Sequence, residues 1–107
     1  MTKHQALYLN EASQIRRLAA DRETIWSYGD FILESGLTHA QEEMFADGIT
    51  EPDVRYVLKS CKVTRAELHV DGFRYRCEGK NIDGIKMSFI VLFSTEPKKL
   101  DIRTGWV

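Results

Sequence analysis

The chain has 107 residues, 43% hydrophobic and 29% charged, with 7 Gly and 2 Pro, which is the composition of one compact domain and excludes both disorder and a collagen-like repeat. Its longest apolar stretch, Phe89 to Phe93, is of strand length, so no transmembrane helix is expected. The net charge of −1 divides unevenly: residues 1–50 are acidic at −4 and residues 51–107 basic at +3, so a polyanion would meet the second half, while an overall pI near 6.3 argues against a dedicated duplex-DNA binder.

The two cysteines, Cys61 and Cys77, form no CxxC, and no two histidines stand at ligand spacing, so neither a metal nor another cofactor is expected. The N-terminal run Met-Thr-Lys-His-Gln lacks the apolar core of a signal peptide, which predicts a cytoplasmic location with reduced thiols and no membrane contact.

In chain order, Tyr8, Ala12, Ile15 and Ala19 recur at helical spacing and predict an amphipathic helix over about 4–20. A second helix is expected from Asp21 to Gly36, with Ile25, Trp26, Phe31, Ile32 and Leu33 as its apolar members; Gly29 inside it would cost about 1 kcal/mol and mark a kink. Thr38 with Gln41 three residues on is a capping-box pattern that opens a short helix over 39–47, closed by Gly48. Thr50 and Pro52 open another, reaching about Ser60 with Val54, Val57 and Leu58 buried.

After Cys61 the period falls from 3.6 to 2. Strands are expected over 62–70, 73–79, 85–94 and 99–104, with turns at Asp71-Gly72 and Asp83-Gly84. The predicted fold class is therefore α+β, a single domain over 1–107 with N-terminal helices packed on a four-stranded antiparallel sheet.

A meander with one face on helices leaves the other face wet. On it the alternation places Arg74 and Arg76, and its neighbours can add Arg65, His69, Lys86, Ser88 and Arg103. Guanidinium groups beside a histidine are what an RNA phosphodiester needs for binding and metal-free cleavage. The same residues also describe an outer face that is simply solvated. His39 stands at the first position of its helix, where the dipole favours a neutral imidazole suited to act as a base; Glu67 is a candidate partner for His69.

The segment Leu37-Thr38-His39-Ala40 through Met44, then Gly48-Ile49-Thr50-Glu51-Pro52-Asp53-Val54 and Val57-Leu58-Lys59-Ser60, resembles a widespread family of small bacterial proteins. That family has "Thr-x-His-Ala", a Met, "Gly-Ile-Ser/Thr-x-x-Asp-Val" and then an Arg-rich strand. The resemblance covers about residues 37–106 and implies a RelE-like fold, of the barnase or colicin type, as in the ribonucleases of toxin–antitoxin systems. It makes 37–107 the core and 1–36 a helical N-terminal extension. It further implies a metal-independent endoribonuclease toxin with His39, Arg74, Arg76 and Arg103 as catalytic residues, Arg65, His69, Lys86 and Thr104 as RNA contacts, and RNA and an antitoxin protein as partners. Two positions depart from the family's pattern: Glu43 and Asp47 stand where it usually carries Arg.

Two other readings accompany this one. An acidic extension bearing Tyr8, Trp26, Tyr28 and Phe31 suggests a non-catalytic binding or regulatory module on the same fold, a homodimer through its N-terminal helices, unless these aromatics fill the domain's own core. The helix pair over 39–60 suggests a helix-turn-helix, although its second helix sets only Arg55 and Lys59 against Glu51 and Asp53.

Overall fold

The computed structural model describes residues 8–29 and 32–107; the expected first turn of the helix over 4–20 and Phe31 lie outside them. Helix α1 spans Leu9–Ala20 and buries Ala12, Ile15, Leu18 and Ala19. The stretch expected as a second helix instead contains a strand, β1, Ile25–Ser27, followed by a loop in which Ile32 and Thr38 pair as an isolated antiparallel bridge. Thr24 Oγ1 donates to the Leu18 carbonyl at 2.6 Å, which satisfies the end of α1 and turns the chain away from its axis. Beyond it, Thr24-Ile25-Trp26 is β-branched and aromatic, and Gly29 and Gly36 both take positive φ, at 75° and 86°, which a continuous helix does not accommodate.

The two short helices lie where their caps predict. Helix α2 is His39–Ala46, with both halves of the Thr38/Gln41 capping box formed; α3 is Glu51–Leu58, with a second box between Thr50 and Asp53. The backbone amide of Thr50 donates to the Asp53 carboxylate and holds its pKa below the ordinary range.

Strands β2 (Lys62–His69), β3 (Gly72–Lys80), β4 (Lys86–Thr95) and β5 (Lys98–Trp106) form the expected antiparallel meander. Strand β1 adds to β5 in parallel, so the sheet has five strands in the order β1-β5-β4-β3-β2 and is mixed rather than purely antiparallel. The β2–β3 turn is Val70-Asp71, one residue earlier than expected, and Gly72 follows with φ 120°, a conformation that a side chain would resist.

The three helices among the described residues cover one face of the sheet. Phe89, Val91, Leu100, Ile102 and Cys77 are fully buried there with Ile15, Met44, Val57 and Leu58. Val57 reaches Gly79, and Met44 and the Phe89 ring crowd Gly105 so closely that an added Cβ would lie 2.4 Å from Phe89 Cδ1. Three of the N-terminal aromatics belong to this core: Tyr28 is buried, and Tyr8 and Trp26 pack against it. The apolar stripe of α1, Ala12, Ile15, Leu18 and Ala19, is buried in the same core.

Two irregularities in pairing decide what the opposite face carries. In β2 the register slips between Val63, opposite Cys77, and Arg65, opposite Arg76. Strict alternation would keep Val63 and Arg65 on one side, whereas the extra residue at Thr64 lets Val63 enter the core and turns Arg65, Glu67 and His69 outward. In β5 the slip lies between Ile102, opposite Val91, and Thr104, opposite Ile90. Ile102 is buried and Thr104 faces out, with Arg103 as the additional residue.

Candidate nucleic-acid interface

The uncovered face holds an open groove of about 330 Å³. Four guanidinium groups line it, from Arg65, Arg74, Arg76 and Arg103, together with His69, Glu67, Thr104, Ile90 and Trp106. One row runs straight across four strands: Arg65 pairs with Arg76, Arg76 with Ile90, and Ile90 with Thr104. Like charges directly opposite each other in adjacent strands are destabilising, so this pairing is a feature the fold carries at a cost.

Carboxylates offset part of that cost. Arg65 pairs with Glu67, whose other oxygen lies 3.5 Å from His69 Nε2. Arg76 Nε stands 3.6 Å from Glu78, and its guanidinium carbon lies 5.1 Å from the centre of the Trp106 ring. Arg74 Nη2 and Arg103 Nη2 each lie 3.2 Å from the same oxygen of Asp71, and Arg103 also contacts Asp101 at 3.0 Å. The bond from Arg74, with the Arg103 charge added, holds the Asp71 carboxyl below its usual range. A hydrogen bond from Thr64 does the same for Glu78, with Lys86 and Arg76 contributing.

Six of the eight residues that the sequence reading nominates thus meet in the groove: Arg65, His69, Arg74, Arg76, Arg103 and Thr104. Two do not. His39 is on α2, the helix layer behind the sheet, with its side chain 64% exposed and Nε2 2.6 Å from Glu43; a helix that packs its Ala40 and Met44 on the covered face cannot present its first residue to the opposite one. Lys86 is on β4 beside a neighbouring depression shared with Lys62, Thr64 and Glu78, and pairs with Glu78 at 3.2 Å.

Trp106 and Asp71 escaped the sequence reading. Trp106 keeps the parity of Thr104, so extending the last strand by two residues would have placed it on the same face. Asp71 reads in sequence only as a turn residue, and its reach toward Arg103, 32 residues away, is tertiary. Arg55, one of the two cations on the second helix of the helix pair, lies 2.8 Å from Glu51 and 4.7 Å from the centre of the Trp26 ring. Among the described residues no group of three or more His, Cys, Asp or Glu side chains is arranged to hold a metal, and no helix is long and apolar enough to cross a membrane.

No protein-family model matches the chain, and no solved structure matches it. It is similar to a valine–tRNA ligase of Bartonella quintana (strain Toulouse), 32% identical over 110 residues. That alignment takes in 88% of this chain but 12% of the ligase, so the chain spans about an eighth of the length of the curated relative it matches.

Proposed function

We propose that the open face of the sheet binds RNA and cleaves it without a metal, as the endoribonuclease of a RelE-like toxin–antitoxin system. The observation that carries this reading is the convergence of four guanidinium groups and a Glu67–His69 pair in one groove. Arg74 and Arg76 hold a phosphodiester and stabilise the charge that grows on its oxygens in the transition state. His69, positioned through one ring nitrogen by Glu67, takes the proton of the 2′-hydroxyl as its oxygen attacks the neighbouring phosphorus. The bond to the 5′-oxygen breaks and that oxygen takes a proton from water, giving a 2′,3′-cyclic phosphate and a 5′-hydroxyl, and Trp106 offers a ring on which a base can stack. An RNA ligand is also in keeping with the similarity to an enzyme whose name gives tRNA as its substrate.

A second reading, a non-catalytic binding module on the same face, is favoured by the carboxylates of Glu67, Asp71 and Asp101, which already occupy guanidinium donors. The two separate on one experiment. The wild-type protein and an Arg74→Ala, Arg76→Ala double variant are each expressed inducibly, then purified and incubated with end-labelled single-stranded RNA in EDTA. Arrest of growth and metal-independent cleavage by the wild type, lost in a folded double variant, support the ribonuclease. Binding without cleavage leaves the module; RNA handled equally by both proteins removes the groove from either account.

A further inference from the structure

We infer that Asp71 is a tethered occupant of a phosphate site formed by Arg74 and Arg103, and that it must swing out before RNA can bind. The inference rests on the RNA reading of the groove and adds its regulation. One carboxylate oxygen of Asp71 lies 3.2 Å from Nη2 of Arg74 on β3 and 3.2 Å from Nη2 of Arg103 on β5. An oxygen bridging two guanidinium groups from separate strands is where a phosphate oxygen would sit.

Three features make Asp71 a removable occupant rather than a fixed strut. It belongs to the two-residue tip of the β2–β3 hairpin, beside a fully exposed Val70, and its own side chain is 32% exposed. Arg103 keeps a second carboxylate, Asp101 at 3.0 Å, so it stays aimed into the groove when Asp71 leaves. Arg74 Nε is buried without a hydrogen-bond acceptor among the described residues, a donor that a single carboxylate oxygen leaves unmet and that a phosphate, with several oxygens, can satisfy. The lowered pKa of Asp71 fits a carboxylate held as an anion between cations.

A ligand that binds only when Asp71 is out has its affinity reduced by the fraction of time the site is vacant. If Asp71 fills it about nine-tenths of the time, removing its charge tightens binding about tenfold. The test compares wild type, Asp71→Asn and Asp71→Asn with Arg74→Ala, titrated at one ionic strength with inorganic pyrophosphate by calorimetry and with a fluorescent single-stranded oligoribonucleotide by anisotropy. Asn is a turn residue like Asp and Asp71 carries no positive φ, so the fold should survive; Asp71→Ser serves in its place if circular dichroism shows otherwise. The expected result is about tenfold tighter binding of both ligands by Asp71→Asn, with the gain erased by Arg74→Ala. Tighter pyrophosphate without any RNA binding supports the tethered occupant and rejects RNA as the ligand. Wild-type RNA binding that Asp71→Asn does not improve overturns the occupant and leaves the RNA reading standing. Failure of both proteins to bind pyrophosphate overturns it as well.

Discussion

Salt dependence is the most direct reading of how many phosphates the groove holds. Each phosphate neutralised by Lys or Arg releases counterions, and for single strands log K falls against log salt with a slope of about −0.7 per contact. Four guanidinium groups line the groove, so with one phosphate per group as the upper limit the wild type should show a slope of at most about −2.8, and Arg74→Ala with Arg76→Ala at most about −1.4. Between about 50 and 200 mM salt the wild type would then lose up to ~50-fold in affinity and the variant up to ~7-fold. The substitutions leave the core untouched; the main structural loss is the contact of Arg76 over Trp106, worth about 0.5–1 kcal/mol at an exposed site. Anisotropy with a labelled single-stranded RNA over a salt series measures both slopes, and a thermal melt confirms that both proteins fold. Equal slopes would refute the placement of RNA on this face, because two of the four cations would have been removed without removing a phosphate contact.

Further expectations follow from the same geometry. His69→Ala should lower RNA cleavage about 100-fold or more while His39→Ala, on the far layer, leaves it unchanged; the reverse result in a gel-based rate assay would contradict the assignment of the base. Gly105→Ala should destabilise the fold by about 2–3 kcal/mol, because its Cβ would lie 2.4 and 2.6 Å from the ring of the fully buried Phe89 and 2.9 Å from Met44 Sδ; a melting point within about 2 °C of wild type would disprove that tight packing. The carboxyls of Asp21, Asp53, Asp71 and Glu78 are all held below their ordinary values by hydrogen bonds, from Lys98, the Thr50 backbone, Arg74 and Thr64 respectively as the leading partners. The unfolded chain therefore takes up protons first, so their contribution is complete above the ordinary carboxylate pKa near ~4 and is lost as pH falls through the lower folded values. Urea midpoints measured from about pH 6 to pH 2 should decline, and Asp53→Asn should flatten the decline. Thr50→Ala removes a cap that accepts from Asp53 N at 3.3 Å and should cost about 1 kcal/mol in the same titration.

The features legible in the sequence were those written within a few residues. Thr38 with Gln41 and Thr50 with Asp53 announce helix starts because each box closes over one turn, and both form. The alternation over 62–79 announces strands because side chains in extended chain take opposite faces, and it located Arg74 and Arg76 correctly. What stayed hidden depends on a partner. Ile25–Ser27 is a strand because β5 offers it an edge, pairing Trp26 with Leu100; alone, its apolar residues fit a helix equally well. The slips at Thr64 and Arg103 come from how β2 meets β3 and β5 meets β4, and no single-strand pattern contains them. Those slips admit Val63 and Ile102 to the core while Arg65 and Thr104 face the groove, and the side of the sheet on which α2 packs separates His39 from them. The sequence by itself determined α1 to α3, β2 to β5, the caps of α2 and α3 and the basic strand, since these are local interactions; tertiary structure decided β1 and which charges share a face, since pairing, register and layer are properties of two paired segments rather than of either one.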